Sequence, residues 1–345
     1  MLKKALFIFA LLLSVGIAVV WWYGNNAATS PDNLAASSQE QTEVVSNEAT
    51  PSEPVESESE AVTLVAVGDV MMSRHVWTKI LAHGGDSRHP FRETADFTAA
   101  ADITFANVES AVSDLAEPPP EGMSFIVPTE GIDGLEYAGF DVVSLANNHS
   151  LNFGKQALVD SVEQLESRGI LTAGAGDNLE SAHAPAILDV KGNSIAFFAY
   201  QNVGPQEVWE ATPSSAGIAW MDPEMVKLDV SQVRDEVDYV IVSMHAGTEY
   251  VFDPIDSQVE FAHAAVDAGA DLVIGHHPHV VQDKEIYNGK QIIYSLGNFV
   301  FDQMWSEETR RGEVLTATLT DGEVRDINFE KVRIYDYNQP RFEDW

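Results

Sequence analysis

The stretch GADLVIGHHPHVVQ, residues 269–282, places three histidines directly after a short apolar run. The run before Gly275 has the length and β-branched composition of a strand covered on both faces, and the glycine lets the chain leave that strand. His276, His277 and His279 are therefore expected at the C-terminal end of a buried strand, the edge where open α/β sheets bind ligands. A single histidine there is more often structural, but two imidazoles flanking a proline can converge on one metal ion.

Hydrophobic periodicity predicts strands that alternate with helices along most of the chain. Such alternation is typical of an α/β domain with a largely parallel sheet and right-handed crossovers. The last part differs, because VLTATLT and VRDINFEKVRI flank Asp321-Gly322 and predict an antiparallel hairpin. The predicted strands are residues 63–69, 102–107, 140–147, 169–172, 186–189, 194–199, 238–245, 271–275 and 291–298, and the predicted helices are residues 155–167, 224–235 and 257–268.

The beginning of the 345-residue chain differs in composition from the rest. Residues 1–24 start with Lys3 and Lys4 and continue as a long apolar run that closes with aromatic residues. This run predicts a membrane anchor that leaves the globular part outside the cell, with a cleaved signal segment as the alternative. Residues 25–60 are rich in Ser, Glu, Thr and Pro and predict a disordered acidic linker. A single domain is then expected over residues 61–345.

Charge and cysteine content exclude several classes of protein. The formal net charge is −35, which argues against a nucleic-acid partner because phosphates demand a basic surface. The chain contains no cysteine, so disulfides, a thiol nucleophile and a lipidated cysteine anchor are excluded. The stability of an outward-facing domain must then come from its core.

Other predicted strands also end in residues that can bind cations. These ends are Gly68-Asp69, Asn107-Val108-Glu109, Asn147-Asn148-His149 and His245-Ala246-Gly247. One aspartate after a strand is usually a turn former or helix cap, but structural caps rarely include so many imidazoles. A mixed set of oxygen and nitrogen ligands suits one or two ions of Mn²⁺, Fe²⁺ or Zn²⁺. Two adjacent ions can activate water, most commonly for hydrolysis at phosphorus.

Six motifs follow one another along the chain: GDVMMSR (68–74), NVES (107–110), SLANNHSLNFG (144–154), HAGTEY (245–250), GADLVIGHHPHVVQ (269–282) and YSLGNFVFDQ (294–303). In order and spacing they resemble the motifs of the capsule synthesis protein CapA family, the poly-γ-glutamate synthesis group. The resemblance covers residues 62–303. It implies the fold of calcineurin-like metallophosphoesterases, an α/β four-layer αββα sandwich of mostly parallel sheets, here with a C-terminal antiparallel hairpin.

The resemblance also implies roles for individual residues. His149 matches the general acid or transition-state stabiliser of the phosphoesterases. Arg74 matches a basic residue that could hold an anionic substrate group by a forked hydrogen bond, with a salt bridge to a local carboxylate as the alternative. The metal ligands that the resemblance implies are Asp69, Glu109, Asn148, His245, His277 and His279.

The chain departs from these patterns at several positions, among them Ala246, where tryptophan is usual in the CapA family. Phosphoesterases carry a histidine where this chain has Met71, a poor ligand for a hard ion. Glu109 stands where they carry a bridging aspartate, so one of the two metal positions is expected to be weak or empty. Asn152 stands where aspartate is common in the CapA family, which removes a carboxylate of the kind that orients a ligand.

The sequence leaves three functions open. The first is a membrane-anchored, extracellular metal-dependent hydrolase that acts on a phosphoester or on a bond in a capsule polymer. The second is a non-catalytic component of capsule assembly and export that binds anionic polymer at the metal pocket beside other membrane subunits. The third is an adhesion or scaffold domain without a metal. A capsule-polymer role with a metallophosphoesterase-like site is the favoured interpretation, and catalysis is left open.

Overall fold

The computed structural model describes residues 60–345. The predicted anchor, residues 1–24, and all but the last residue of the predicted linker, residues 25–60, lie outside the described residues. Within residues 60–345 no helix has both the length and the hydropathy needed to cross a membrane.

Strands and helices alternate through most of the described chain, as the periodicity predicted. The strands are β1 (Val62–Val70), β2 (Ile103–Val108), β3 (Ala111–Val112), β4 (Ile126–Val127), β5 (Val142–Ser144), β6 (Leu171–Ala173), β7 (Ala175–Gly176), β8 (Ala186–Val190), β9 (Asn193–Gln201), β10 (Gly217–Ile218), β11 (Tyr239–His245), β12 (Leu272–His276), β13 (Lys284–Tyr287), β14 (Lys290–Ile293), β15 (Asn298–Val300), β16 (Arg311–Thr320), β17 (Glu323–Tyr335) and β18 (Gln339–Phe342). The α-helices are α1 (Arg74–Ala82), α2 (Ala95–Thr98), α3 (Ile132–Tyr137), α4 (Gly154–Ser167), α5 (Leu179–His183), α6 (Gln206–Trp209), α7 (Pro223–Val233) and α8 (Asp256–Asp267).

Two large sheets form the centre of the domain. The first has the strand order β18-β17-β16-β1-β2-β5-β6, and β15 also pairs with β1. The second has the order β13-β14-β12-β11-β9-β8. In the first sheet β1, β2, β5 and β6 run parallel and β16, β17 and β18 add an antiparallel side. In the second sheet β14, β12, β11 and β9 run parallel, and the edge strands β13 and β8 are antiparallel. The predicted hairpin is confirmed as β16 and β17, whose turn residues Asp321 and Gly322 both have positive φ, as a type I′ turn requires.

Apolar side chains fill three spaces and so define four layers. Leu64 and Phe105 of the first sheet and Phe197 and Ile274 of the second belong to the core between the sheets. A second core lies between the first sheet and helices α1, α3 and α4, and a third lies between the second sheet and helices α7 and α8. The predicted αββα sandwich is therefore confirmed.

The strand predicted over residues 291–298 is wrong, because the structure divides this segment between the two sheets. β14 ends at Ile293 in the second sheet, and β15 begins at Asn298 in the first. The chain crosses between the sheets in the residues between them, where Gly297 has a φ of 72°. Leu296, in this crossing, is buried between the sheets. A buried strand would also contain an apolar residue at this position. Hydrophobic periodicity therefore could not reveal the break between β14 and β15.

Two glycines allow β1 and β15 to meet at this crossing. The backbone N–H of Asp69 donates to the carbonyl of Gly297 at 3.0 Å. A Cβ atom on Gly68 would lie only 2.0 Å from that carbonyl oxygen. Because Gly68 has no side chain, β1 and β15 can pair with Asp69 opposite Asn298.

Replacement of Gly68 by alanine is expected to lower the free energy of unfolding by about 3 kcal/mol, because the new methyl group must push apart two hydrogen-bonded backbones. Denaturant-induced unfolding of the purified chain measures this. Leu81→Ala, at an exposed position of α1, serves as the control and should change stability by no more than about 0.5 kcal/mol. Equal stability of Gly68→Ala and the wild type would contradict the close approach.

Candidate metal centre

The predicted site residues converge at one edge of the sandwich, where parallel strands of both sheets end. Asp69 lies near the end of β1, and Glu109 directly follows β2. His245 is the last residue of β11, and His277 directly follows β12. The site is therefore built by both sheets, and the crossing between them brings its two halves together.

Two groups of side chains could each hold a metal ion. In the first, Asp69, Glu109 and His245 offer ligand atoms that all lie within 4.8 Å of one another, and all three residues are buried. In the second, Glu249, His277 and His279 meet the same criterion. Five of the six predicted ligands thus fall into these groups.

The sixth predicted ligand, Asn148, adjoins the first group, and further contacts join the two groups. The Oδ1 atom of Asn148 lies 2.9 Å from Nε2 of His245. Oδ2 of Asp69 lies 3.2 Å from Nδ1 of His279, and Oε1 of Glu109 lies 3.8 Å from Nε2 of the same ring. The two groups therefore form one centre.

Glu109 shows that this centre suits a cation. Both of its carboxylate oxygens are buried and have no hydrogen-bond partner. Burial, and then the negative charges of Asp69 and Glu249, raise the pKa of Glu109 well above its ordinary value. A buried acceptor without a partner is costly, and a divalent ion would remove that cost. The residues present therefore fit a divalent metal.

The neighbouring groups have protonation states that suit metal binding. Burial would raise the pKa of Asp69, but hydrogen bonds and charges from His276 and His279 hold it well below its ordinary value. Burial, with a contribution from the charge of His277, lowers the pKa of His245 well below its ordinary value. Burial likewise lowers the pKa of His277 to about 3. At neutral pH the two imidazoles are neutral and the Asp69 carboxylate is ionised, as coordination requires.

The backbone around the centre is strained at several residues. Positive φ values occur at Arg74 (50°), Tyr250 (65°), His277 (98°) and His279 (57°). Residues other than glycine rarely adopt this region, and such strain persists only where the surroundings impose it. Backbone strain of this kind at a strand edge occurs at functional sites.

Asparagine side chains orient the ligands, and the ligand prediction did not include them. Asn107 donates to Oδ1 of Asp69 at 2.8 Å, and its Nδ2 lies 3.2 Å from Nδ1 of His245. Asn147 in turn donates to Oδ1 of Asn107 at 3.1 Å. Asn298 places Oδ1 3.0 Å from Nδ1 of His279. Asn107 could have been found, because a residue two positions before Glu109 on a strand faces the same side.

Glu249 and Met71 differ in what they can offer to a second metal ion. Glu249 lies in the HAGTEY motif but was not among the predicted ligands, and it adds a carboxylate to the second group. Met71 is buried, and its sulfur accepts the N–H of Ser73 at 3.1 Å. The carboxylate of Glu249 therefore provides a hard ligand that Met71 does not.

His149 is held in place beside Glu109. Its ring stacks on Phe125 with centroids 3.8 Å apart, and its Nδ1 lies 2.8 Å from Oδ1 of Asn152. Its Nε2 lies 3.7 Å from Oε1 of Glu109. Burial lowers the pKa of His149 to about 4 although the hydrogen bond with Asn152 opposes this. At neutral pH the imidazole is therefore uncharged.

Arg74 lies at the rim of the centre and forms the salt bridge that was one of its two predicted roles. Its guanidinium pairs with Asp302 and donates to the carbonyl of Gly122 at 3.0 Å. The guanidinium carbon lies 4.5 Å from the centroid of the Phe125 ring. Its Nε atom is buried and has no hydrogen-bond partner. The residue is thus fixed in position but retains one free donor.

The fold and the centre together define a metallophosphoesterase-like α/β sandwich with a candidate divalent metal site. The family described as bacterial capsule synthesis protein PGA_cap matches residues 63–303. The chain therefore belongs to this family, and the resemblance of its motifs is confirmed.

Two curated relatives carry names that concern the capsule. The chain is 32% identical over 257 residues to the capsule biosynthesis protein CapA of Bacillus anthracis, with 72% of this chain and 62% of that protein covered. It is 35% identical over 243 residues to the PGA biosynthesis protein CapA of Bacillus subtilis, with 70% and 63% covered. The matched region thus spans less than two thirds of either relative.

A solved structure shows the same fold. It is a putative 5'-nucleotidase from Staphylococcus aureus in complex with alpha-ketoglutarate, and the TM-score is 0.50 at 13% sequence identity. The match covers 83% of this chain and 55% of that chain. At this identity the likeness concerns the fold alone.

Divalent metal is expected to stabilise the chain through Glu109. Mn²⁺ added to chelator-treated protein at 100 times its Kd should raise the free energy of unfolding by about 2.7 kcal/mol. Glu109→Gln should remove most of this gain because it removes a charged ligand. Glu260→Gln, at an exposed position of α8, is the matched control and should retain the gain. Thermal unfolding with and without Mn²⁺ measures the effect, and equal gains in both variants would contradict the assignment.

The contact between Asn152 and His149 gives a second prediction. Asn152→Asp should raise the pKa of His149 from about 4 to about 6, because a carboxylate beside the ring favours the imidazolium. NMR titration of the metal-free chain, followed at the imidazole carbon proton, measures this value. Asn328→Asp on the distant strand β17 is the control and should leave it unchanged. An unaltered pKa in Asn152→Asp would show that the contact does not control the ring.

Proposed function

We propose that this protein acts in the biosynthesis or export of a capsule polymer, such as poly-γ-glutamate, as a metal-dependent hydrolase at the cell surface. The observation that carries this proposal is the convergence of two ligand groups around the unpaired, buried carboxylate of Glu109. The names of the two CapA relatives support the role in capsule synthesis.

Six residues would hold one or two divalent ions. Asp69, Glu109 and His245 form one set, and Glu249, His277 and His279 form the other, with Asn148 beside His245. Carboxylates and imidazoles in this mixture favour Mn²⁺, Fe²⁺ or Zn²⁺. When bound, such ions supply Lewis-acid activation of a phosphoryl or carbonyl group.

The protein's own residues would bind and orient the substrate. The free Nε–H of Arg74 is a donor for an anionic oxygen, and Asp302 and Phe125 keep the guanidinium in place. Oδ1 of Asn152 accepts the Nδ1–H of His149, so the neutral ring presents the lone pair of Nε2 and can accept a hydrogen bond or a proton there. Burial of the ligands keeps water away and strengthens these interactions.

The proposed location of the domain is the outer side of the cell membrane. The apolar run in residues 1–24 and its lysines support a single membrane anchor with the domain outside the cell. The linker of residues 25–60 would then tether the domain near other membrane proteins of capsule assembly.

A non-catalytic role in binding anionic polymer is the alternative, and the buried Met71, which offers no hard ligand to a second metal ion, favours it. Arg74 is already paired with Asp302, so a bound metal ion would be the main attraction for polymer carboxylates at the centre. Polymer would then be held at the metal without being cleaved.

Removal of a ligand tests both roles. His277→Ala in the full chain, purified in detergent, is expected to lose bound metal and to lower hydrolysis of phosphoesters or γ-glutamyl oligomers on the order of 100-fold. Elemental analysis and turnover with Mn²⁺ are the measurements. His263→Ala on α8 is the matched control, because its ring contacts Glu285 and not the centre.

The outcomes separate the possibilities. Absence of metal from the wild type would overturn the proposal. Metal without turnover, combined with unchanged polymer output from cells carrying His277→Ala, would exclude both catalysis and polymer binding at this centre. Metal without turnover, but with reduced output, would favour the non-catalytic role.

A further inference from the structure

A cavity adjoins the metal centre on the side of Arg74. Its volume is about 360 Å³, and its walls include Arg74, His75, Glu121, Trp305 and Tyr337. Cavities of about 300 to 1,000 Å³ hold small ligands. Because Arg74 lies at the rim of the metal centre, the cavity opens beside the place where the reacting group of a substrate would lie.

Aromatic rings form much of the wall. The Trp305 side chain is 64% exposed although tryptophan is usually well buried. Tyr337 is also exposed, and the ring of His75 stacks on it with centroids 5.3 Å apart and an interplanar angle of 27°. An exposed cluster of large rings next to a catalytic centre is typical of a binding surface.

A chain of ring contacts joins this wall to the metal ligands. Trp305 packs edge-on against Tyr250 with centroids 5.9 Å apart. The centroid of the Tyr250 ring lies 6.2 Å from the centroid of the His279 ring. The indole is therefore within about 12 Å of a metal ligand, which is close enough for one small substrate to contact both.

The charges around the cavity do not match an anionic polymer segment. Arg74 is paired with Asp302, and Lys79, which lies near Tyr337, is paired with Asp336 at 2.5 Å. His75 has its Nδ1 3.1 Å from Asp302, and Glu121 adds an exposed carboxylate. A chain of glutamyl carboxylates would find repulsion here, whereas a neutral group would not.

We propose that this cavity binds the sugar ring of a sugar phosphoester whose phosphoryl group lies at the metal centre. The C–H face of a pyranose carries slight positive charge and suits the negative face of Trp305 or Tyr337. The Glu121 carboxylate can accept hydrogen bonds from sugar hydroxyls, and the free Nε2 of a neutral His75 ring can accept one, because Nδ1 donates to Asp302. This inference rests on the proposed hydrolase function and names its substrate class.

Hydrolysis of such a substrate balances without a further reactant. The oxygen of water forms a bond to phosphorus, and the bond between phosphorus and the sugar oxygen breaks. One proton of the water passes to that sugar oxygen. The products are the free sugar and inorganic phosphate.

The first test compares three phosphoesters with the Mn²⁺-loaded full chain. Glucose 1-phosphate carries a pyranose ring, glycerol 3-phosphate carries no ring, and phenyl phosphate carries a planar aromatic ring. The ratio of kcat/KM for glucose 1-phosphate to that for glycerol 3-phosphate is expected to be at least tenfold, and Trp305→Ala should reduce the ratio about tenfold. Tyr137→Ala, an exposed aromatic position outside the cavity, is the matched control and should retain the ratio.

The second test measures binding without turnover. Saturation-transfer NMR on the chelator-treated chain should show saturation transfer from the protein to methyl α-D-glucopyranoside. Trp305→Ala should abolish this transfer, and Tyr137→Ala and Glu109→Gln should retain it. Trp305→Phe should restore part of the signal, because it retains an aromatic face.

These two tests fail independently of the metal proposal. If saturation transfer to the glucoside depends on Trp305 but the protein hydrolyses no phosphoester, the result would support the sugar site and overturn the hydrolase function. Hydrolysis of glycerol 3-phosphate without any preference for the sugar, and without transfer to the glucoside, would overturn the sugar site alone. Preference for phenyl phosphate, or transfer to a γ-glutamyl oligomer in place of the glucoside, would also overturn it.

Discussion

The buried carboxylate of Glu109 is the constraint on which the rest of the site depends. Its two oxygens have no hydrogen-bond partner and lie next to the carboxylate of Asp69, so burial and that neighbouring charge make the ionised form of Glu109 costly unless a cation is bound. Asp69 is stabilised by imidazoles, whereas Glu109 is not, so a cation is the natural way to balance it. The neutral histidines around it have lone pairs available for the same ion. The ligands are thus arranged for a partner that the polypeptide does not provide.

The sandwich supports this arrangement because it brings the ends of two sheets to one point. Asp69 reaches Asn298 only because Gly68 and Gly297 let their backbones touch, and Asn298 in turn holds His279. The asparagines between the ligands, Asn107 among them, are neutral donors and acceptors. They can therefore orient carboxylates and imidazoles without changing the charge that the metal must balance.

Much of this could be predicted from sequence, and the failures have a common physical cause. The ends of β1, β2, β11 and β12 were predictable because β-branched runs and the residues that follow them are local features. The break between β14 and β15 was not, since Leu296 is apolar on either interpretation and only the pairing with β1 decides it. Glu249 and the cavity beside Trp305 lie in loops, whose positions depend on contacts between distant parts of the chain. The strand ends that carry the candidate ligands could therefore be predicted better than the loops around them.

The acidity of the chain connects the metal to the substrate. The chain has a net charge of −35 and therefore repels polyanions, and the cations at the cavity are already paired. In the proposed hydrolase, bound divalent ions would reverse the local charge at the centre, so that a phosphoryl group could approach there. The rest of such a substrate would lie against the acidic and aromatic wall of the cavity. A neutral sugar can bind there, whereas a run of free carboxylates would be repelled. The negative charge that favours a metal ion at the centre would therefore also restrict which groups can be attached to the phosphoryl group.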